Sequence, residues 1–454
     1  RCVITIDPAS ARDFDDAIAV RRVPEGWELA VHIADVSHYV QPGSALDREA
    51  ARRGNSTYLP DRVLPMLPPR LCDGICSLRQ GEDRLTRLCL MRIDAAGETR
   101  HAEFRDAVIC SRLRMSYPEA LAVLEGRGSS GDAEVDAMLH EAHTLAQLLR
   151  KRRFDRGSLN LDMPELHVVT DDHGFPIDVE QEESDISHQL IEEFMLAANE
   201  AVAHALNARA IPTVYRVHEA PDPAKLQEFA GQLKTYGIPA GALATREELA
   251  RVMERIRGHA DEPLLKVALL RCMMRACYSS KALGHYGLAK GDYCHFTSPI
   301  RRYADLLVHR GFCRLSGGKS PHLPQLPSAG KLDDIARHLS ETERISAAAE
   351  NEAEQKMLLM YMEKQCEAEH PRIWEATVTA AWGQGLVVEL PLLRLRGFIS
   401  GAELPGASRW YHERHADCWR SFDGACLKPG DTVRVVPVNI DPATGFLDFR
   451  PVES

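Results

Sequence analysis

Four aspartates near the start of the chain are the strongest chemical signal in the sequence. Asp7, Asp13, Asp15 and Asp16 lie between two short apolar runs that resemble strands. Such a tight loop would hold the carboxylates rigidly together. Because close carboxylates repel one another and Mg²⁺ prefers oxygen ligands, the spacing favours a Mg²⁺ site that acts on a phosphodiester. A solvated acidic turn is the alternative that this stretch alone leaves open.

A second stretch, residues 295–310, combines a proline, hydroxyl groups and arginines. Pro299 suits the first turn of a helix, so we expect a helix to begin there with Ser298 or its neighbour as the N-cap. A helix N-terminus with free amides is an anion site, and Arg301 or Arg302 could bind a phosphate through two parallel hydrogen bonds. The alternative, internal ion pairs, applies to Arg302, Asp305 and Arg310.

One aromatic residue and one acidic pair complete the candidate set. Tyr58 follows two arginines and lies among prolines, which suits ordinary packing or a platform on which a nucleic-acid base stacks. Glu192 and Glu193 lie on the clearest predicted helix, whose other residues are largely apolar or small. Adjacent glutamates are usually a solvated edge, but this setting favours one of them facing a polar site.

The periodicity of the sequence predicts the elements that would position these residues. Strands are expected at 27–40 and within 85–109. Helices are expected at 45–53, 117–126, 132–153, 187–207, 223–236, 245–278 and 332–368. Loops are expected at 55–60 and 315–331. After Pro371, five short strands are expected at 374–381, 385–390, 396–399, 431–439 and 445–449, a pattern typical of a small barrel of the OB type.

Composition excludes several classes of protein. The 454 residues are 44% hydrophobic and 27% charged, and no run reaches the ~20 apolar residues of a membrane span. The 12 cysteines follow no repeating frame, which predicts reduced thiols and a cytoplasmic location. A net charge of −11 requires any nucleic-acid site to be a local groove or channel. Because the acidic loop follows Arg1 so closely, we expect an N-terminal module to precede it.

Together, the acidic loop, the Tyr58 segment and the stretch HFTSPIRRYADLLVHR resemble the RNB-domain exoribonucleases, the family of ribonucleases II and R. The resemblance covers residues 3–365, and the tail resembles the ribosomal S-one type of OB domain. It implies an α+β protein, with a mixed sheet surrounded by helices over 1–368 and a five-stranded RNA-binding barrel over 371–454. It also implies Mg²⁺-dependent hydrolysis of single-stranded RNA from its 3′ end to nucleoside 5′-monophosphates. We expect a monomer without an obligate protein partner.

Carried over residue by residue, the resemblance assigns roles to the candidates. The four aspartates would serve two Mg²⁺ ions, for which Mn²⁺ could substitute, and Asp15 would bind metal or orient the attacking water. Arg301 would neutralise charge on the scissile phosphate, and either Glu192 or Glu193 would be the active-site glutamate. The expected RNA contacts are Tyr58, Ser298, Arg301, Arg302, Arg216 and His218.

One departure from the family pattern and two other classes of function complete these expectations. Several family members have a phenylalanine that stacks on RNA opposite the tyrosine, where this sequence has Leu161, so we expect a one-sided base clamp. A catalytically silent RNA-binding or regulatory protein of the same fold is the main alternative, against which the complete aspartate set argues. A metal-dependent phosphatase is the second, and it leaves Tyr58, the arginines and the barrel without a purpose.

Overall fold

The computed structural model of the chain describes residues 2–160, 165–171, 173–182, 184–259, 261–317, 326–391, 393, 395–404, 410–413, 417–441 and 444–452. The chain forms two compact units. The first comprises residues 1–58, 63–162 and 184–347, and the second comprises residues 59–62, 163–183 and 348–454. The domain limits expected from the sequence differ from these bounds and stay a prediction.

The helices of the described residues confirm most of the predicted ones to within a few residues. They are α1 (Val36–Tyr39), α2 (Ala45–Arg53), α3 (Tyr117–Leu124), α4 (Ala133–Asp155), α5 (Ile186–Ala208), α6 (Pro223–Thr235), α7 (Arg246–Ile256), α8 (Glu262–Cys272), α9 (Tyr303–Phe312) and α10 (Ala329–Glu367). A π-helical segment spans Arg70–Ile75, and a short 3₁₀ turn spans Gly401–Glu403.

The first ten strands of the described residues are β1 (Ile4–Asp7), β2 (Asp16–Val23), β3 (Gly26–Ala34), β4 (Thr57–Leu59), β5 (Arg62–Leu64), β6 (Asp83–Asp94), β7 (Thr99–Cys110), β8 (Leu113–Ser116), β9 (Glu165–Thr170) and β10 (Pro176–Glu182). The others are β11 (Tyr215–Val217), β12 (Cys277–Ser279), β13 (Trp374–Trp382), β14 (Gly385–Leu390), β15 (Leu395–Ser400), β16 (Trp410–Glu413), β17 (Cys418–Ser421), β18 (Cys426–Leu427), β19 (Thr432–Asp441) and β20 (Phe446–Pro451).

A six-stranded mixed sheet, in the order β7-β6-β3-β2-β1-β8, is the centre of the first unit. Strand β1 pairs antiparallel with β2 and parallel with β8, where Asp7 lies opposite Ser116. The acidic loop therefore connects two neighbouring strands at the edge of the sheet where β8 leads into α3. This register determines which side chains can lie beside the aspartates.

Helix α5 forms where the sequence predicts it most clearly. The Asp185 carboxylate caps its first turn by accepting from the Ser187 amide at 2.8 Å. Its buried apolar residues recur at helical spacing, as in Leu190, Phe194 and Val202, and the helix packs against α4, β3 and β6. This packing anchors the part of the first unit that carries the predicted glutamate pair.

Three local predictions before residue 280 are wrong. One helix was expected over 245–278, but the chain forms α7, α8 and β12, because Gly258 adopts a positive φ of 75° just after α7. The strand expected over 27–40 ends at Ala34, and α1 follows, with the Asp35 carboxylate accepting from the His38 amide. In the segment expected to be an irregular loop, Thr57–Leu59 forms the short strand β4.

The second unit contains a closed five-stranded barrel in the order β13-β14-β15-β20-β19. All neighbouring pairs are antiparallel except β15 and β20, and this topology is that of the OB fold expected from the sequence. At Gly397 in β15, a Cβ atom would lie 2.3 Å from the Leu447 carbonyl oxygen, so the parallel pair requires glycine there. The small sheet β16-β17-β18, inserted before β19, was not predicted.

In the part of the chain that the structure describes, no helix combines the length and the apolar character needed to cross a membrane.

Candidate active site

The acidic loop is braced by hydrogen bonds from a distant part of the chain. Asp7 ends β1 and Asp16 begins β2. Between them, the Phe14 amide donates to Ser77 Oγ at 3.0 Å, and that hydroxyl donates to the Arg12 carbonyl oxygen at 2.8 Å. These bonds hold the backbone of the loop, and the burial of Asp7 and Asp15 argues against the alternative of a solvated acidic turn.

Arg114 supports the same loop from β8. One of its terminal nitrogens donates to the carbonyl oxygens of Pro8 and Ala9, at 3.0 Å each. Its guanidinium lies over the Phe14 ring, 5.3 Å from the centroid. Arg114 also attracts the Asp7 carboxylate electrostatically. The sequence analysis did not single out this arginine. Its side chain holds the acidic loop by binding the backbone carbonyl groups of the loop.

The four carboxylates of the loop are crowded and poorly hydrated. Burial and the neighbouring Asp16 raise the pKa of Asp7 to about 8, and burial raises the pKa of Asp16 to about 7 despite the attraction of Arg301. Burial likewise raises the pKa of Asp13, and it raises the pKa of Asp15 well above the ordinary value. Four ionised carboxylates in this position would be stabilised by an added positive charge.

The structure tests whether the aspartates suit the expected metal ions. Among the described residues, no three His, Cys, Asp or Glu side chains converge closely enough to form a ready metal site. The donor set is nevertheless that of a hard cation, because all four candidates offer carboxylate oxygens. In addition, the buried Asp7 Oδ2 has no hydrogen-bond partner within the described part of the chain. The residues therefore fit a divalent cation chemically.

The second predicted stretch forms a turn at residues 298–302, which we call the arginine turn. The helix expected at Pro299 begins instead at Tyr303, with Arg302 as its N-cap residue. The backbone explains the difference, because the Ile300 amide donates to Asp15 Oδ1 at 3.0 Å. The expected anion site at the helix N-terminus is thus replaced by a contact with a carboxylate of the protein itself.

Arg301 is the residue of the turn that faces the aspartates. Its NH2 group donates to Ser298 Oγ at 3.2 Å. Its positive charge lowers the pKa values of Asp13, Asp15 and Asp16 against the larger effect of burial. Ser298, expected to contact RNA, is buried and lies against this arginine.

Arg302 takes part in an internal ion pair, the second of the two interpretations left open by the sequence. Its Nε and NH2 groups donate to the two oxygens of Asp305 at 2.8 and 2.9 Å, and the Asp305 side chain is fully buried. Arg310 is likewise paired, with the buried Asp47. These contacts favour the ion-pair interpretation, because the Arg302 guanidinium is committed to a carboxylate inside the protein, and contact of Arg302 with RNA stays a prediction.

Tyr58 lies on a segment that is paired with the arginine turn. The Ser56 amide donates to the Arg301 carbonyl oxygen at 2.9 Å, two residues before Tyr58. Partial burial and the Asp13 charge raise the pKa of the Tyr58 hydroxyl above its ordinary value, while 40% of the residue stays exposed. The structure therefore brings the predicted base platform, the arginine and the acidic loop together.

The predicted glutamate pair is held by arginines of α4. Arg153 donates to Glu193 Oε1 at 2.9 and 2.6 Å, and the Glu193 side chain is only 3% exposed. Glu192 is 39% exposed and pairs more loosely with Arg153 and Arg150, at 3.3 and 3.5 Å. The two glutamates thus differ, and Glu193 has the contacts of a structural ion pair.

The two remaining RNA-contact candidates also have internal partners. Arg216 pairs with Glu343 at 2.6 Å and lies over the Tyr278 ring. His218 donates from Nε2 to the Met274 carbonyl oxygen at 2.7 Å and accepts the Gly287 amide at Nδ1. RNA contact by either side chain stays a prediction, and the structure shows them as internal partners.

Sequence reasoning missed Tyr117, which begins α3. It follows Ser116, the residue opposite Asp7, and burial together with the charges of Asp16 and Asp7 raises the pKa of its hydroxyl. The His188 ring stacks on it with centroids 3.8 Å apart. The parallel pairing of β1 with β8 brings Tyr117 there, and no local pattern reveals that pairing. Leu161, expected to replace a stacking phenylalanine, lies outside the described residues.

Comparison with known protein families identifies an RNB domain over residues 1–314. The chain belongs to the RNB family. This RNB chain is 37% identical to ribonuclease R of Thermotoga maritima over 462 residues, covering 100% of the chain and 64% of that relative. It is 36% identical to ribonuclease R 1 of Lactococcus lactis over 459 residues, covering 99% of the chain and 55% of that relative.

The solved structure of apo Mycoplasma genitalium RNase R is also similar to the RNB chain. The two match with a TM-score of 0.85 at 28% identity, over 99% of this chain and 71% of that one. The chain spans between about half and two thirds of the length of the two curated relatives. The family and the fold expected from the sequence are thereby confirmed.

Proposed function

We propose that this RNB chain hydrolyses single-stranded RNA from its 3′ end and releases nucleoside 5′-monophosphates. The observation that carries the proposal is the position of the Arg301 guanidinium beside three carboxylates of the acidic loop, those of Asp13, Asp15 and Asp16. A fixed cation beside carboxylates suits phosphodiester hydrolysis, where negative charge develops on the phosphate. The name ribonuclease R, shared by both relatives, supports RNA as the substrate.

The manner of RNA binding is proposed from Tyr58 and from the solved relative. M. genitalium RNase R has been solved in complex with ribose-methylated single-stranded RNA and with double-stranded RNA. In this chain, the half-exposed Tyr58 ring would stack on a base, which positions the adjacent phosphate against Arg301. Stacking needs an unpaired base, so we propose a preference for single strands.

Divalent cations, with Mg²⁺ as the proposed ion and Mn²⁺ as a substitute, would be held by Asp7, Asp13 and Asp16. The proposal is supported by the crowding of these carboxylates and by the buried, unpartnered Asp7 Oδ2. When bound as a pair, such ions would supply Lewis acidity at the attacking water and at the leaving 3′ oxygen.

Three side chains of the protein would have further roles in the proposed hydrolysis. Arg301 would neutralise charge on the scissile phosphate, and its orientation is supported by the hydrogen bond to Ser298 Oγ. Asp15 accepts the Ile300 amide at one carboxylate oxygen, so its second oxygen would bind cation or orient the water. Of the glutamate pair, we propose Glu192 as the active-site residue, because Glu193 is buried against Arg153.

The experiment uses single-stranded RNA labelled at its 5′ end, incubated with the chain and Mg²⁺. A ladder of shortened labelled products together with nucleoside 5′-monophosphates supports the proposal, and chelation of Mg²⁺ should abolish both. Binding without shortening would instead support a catalytically silent RNA-binding protein. A duplex with a 3′ tail, digested in parallel, tests the preference, because hydrolysis through the duplex would contradict it.

A further inference from the structure

A fully buried carboxylate, Asp305, lies in the first turn of α9 directly behind the arginine turn. Its Oδ1 accepts the Ser298 amide at 2.7 Å and an Arg302 NH2 group at 2.9 Å. Its Oδ2 accepts Arg302 Nε at 2.8 Å. One side chain therefore holds both ends of the turn, at residues 298 and 302.

The residues between those two ends make the contacts on which the proposed site depends. The Ile300 amide donates to Asp15 Oδ1, and the Arg301 guanidinium donates to Ser298 Oγ. A turn clamped at its first and last residues leaves little freedom to the residues between them. The orientation of Arg301 and the position of the Asp15 carboxylate thus depend on Asp305, through the backbone of the arginine turn.

A buried ion pair of this kind is a poor means of stabilising a fold. Removing both charges from water costs much of what their attraction returns, and apolar replacements are often equally stable. The Asp305–Arg302 pair instead fixes one geometry, because the planar guanidinium meets the carboxylate through two parallel hydrogen bonds. Its value to the protein therefore lies in orientation.

We propose that Asp305 and Arg302 are positioning residues, which fix the arginine turn so that Arg301 and Asp15 keep the geometry needed for hydrolysis. Neither residue touches the RNA in this account. The inference rests on the proposed function, and it goes beyond it by assigning a role to two residues outside the reacting set. It also explains why Arg302, beside an arginine exposed to the site, points inward.

A second buried pair, formed by Asp47 of α2 and Arg310 of α9, offers a matched control. The side chains are 10% and 5% exposed, which is similar to the first pair. Asp47 accepts the Tyr303 hydroxyl at 2.8 Å and the Gly43 amide at 2.7 Å. Neutralising Asp47 therefore disturbs a comparable buried pair that also holds α9 but leaves the Asp305 clamp in place.

The test compares Asp305→Asn with Asp47→Asn. In single-turnover assays at saturating RNA, we expect Asp305→Asn to slow hydrolysis by roughly 100-fold, the effect of a small misplacement of reacting groups. RNA affinity should stay within about threefold, since the RNA contacts are kept. Asp47→Asn should lose thermal stability but keep the wild-type rate. An unchanged rate in Asp305→Asn, or an equal slowing in both variants, would overturn the inference.

Two further measurements separate positioning from general damage. The double variant Arg302→Gln, Asp305→Asn removes both charges together, so it covers the case in which Asp305→Asn alone does not fold, and we expect it to be slow as well. Combining Asp305→Asn with Arg301→Lys should slow hydrolysis much less than the product of the two single effects, because one acts through the other. Independent, multiplying effects would contradict the proposal.

Hydrogen exchange provides a readout that does not depend on hydrolysis. A peptide covering residues 298–302 should exchange faster in Asp305→Asn and should keep wild-type protection in Asp47→Asn. If that pattern holds but the wild-type chain hydrolyses no RNA, the proposed function fails and the positioning of the turn stands. If the wild-type chain hydrolyses RNA and Asp305→Asn matches its rate, the inference fails alone.

Discussion

The Ile300 amide donates a 3.0 Å hydrogen bond to Asp15 Oδ1, and it joins residues 285 positions apart. This bond links the acidic loop directly to the arginine turn. Among substitutions at Ile300, only proline would remove this backbone amide, so the link is insensitive to the other side chains. The carboxylates and Arg301 are therefore parts of one local structure, and changes in either should affect the same chemical step.

Replacing Arg301 with lysine should impair hydrolysis far more than RNA binding. Lysine keeps the charge but loses the planar group that donates to Ser298 Oγ and can bind phosphate at two points. We expect the single-turnover rate to fall by about 10²–10³-fold. Arg337→Lys, an exposed arginine of α10, is the control and should keep the wild-type rate. A wild-type rate in Arg301→Lys would remove this residue from the chemistry.

Replacing Tyr58 with alanine should weaken binding of single-stranded RNA. The exposed ring is proposed to stack on one base, a contact worth about 1–3 kcal/mol. Tyr58→Phe keeps the ring and should bind as the wild type does. Fluorescence anisotropy with labelled RNA measures both. Equal affinity of the alanine and phenylalanine variants would show that the ring makes no such contact.

Substitutions of the two glutamates of α5 should have different effects, one on the stability of the fold and the other on the rate of hydrolysis. Glu193→Gln leaves the buried Arg153 with only its looser pairing to Glu192, so we expect unfolding to become easier by up to about 3–5 kcal/mol. Glu192→Gln should instead lower the hydrolysis rate with little change in the melting temperature. Thermal unfolding and rate measurements on both variants test the assignment. The reverse pattern would make Glu193 the active-site residue.

Burial of His309 should contribute a loss of stability of the first unit in mild acid. His309 donates from Nε2 to the Phe296 carbonyl oxygen at 2.8 Å, and burial lowers its pKa to about 4. In the unfolded chain its pKa is about 6.5, so below that pH the unfolded state binds a proton that the folded state does not. This contribution to stability is therefore complete above pH ~6.5 and falls progressively toward pH 4.

Melting temperatures measured between pH 4 and 7.5 test this dependence. His309→Gln keeps a side-chain donor for the Phe296 carbonyl oxygen but cannot titrate, so its melting temperature should gain relative to that of the wild type as the pH falls from 7.5 to 4. His101→Gln, on the exposed surface of β7, should follow the wild-type curve. Identical curves for the wild type and His309→Gln would contradict the prediction.

Local patterns in the sequence predict much of the fold. The apolar spacing of α5 and the alternation of the barrel strands are visible in short windows, and both elements are confirmed. The predicted start of α9 was wrong, because the local pattern at Pro299 is that of a first helical turn but the helix begins at Tyr303. The long-range bond from Ile300 to Asp15 prevails there, and it draws the backbone into a turn.

The residues of the candidate site also fall into two groups, those that local patterns or the family resemblance reveal and those that only tertiary contacts reveal. The spacing of the aspartates is a local signal, and the family resemblance adds Tyr58 and Arg301, which the structure brings to the same place. Arg216 was proposed for RNA without knowledge of Glu343, its partner 127 positions away. Tyr117 was missed for the opposite reason, since only the parallel register of β1 and β8 brings it to Asp7. Tertiary partners of charged residues are not visible in a single sequence.

The most direct test of the central claim is the behaviour of Asp15→Asn on single-stranded RNA labelled at its 5′ end, with Mg²⁺ present. Asparagine keeps an oxygen to accept the Ile300 amide but loses the charge, so the loop should stay folded. We predict RNA affinity within about threefold of the wild type and hydrolysis slower by on the order of 10³-fold. Wild-type release of nucleoside 5′-monophosphates by Asp15→Asn would contradict the account that the acidic loop is the catalytic centre.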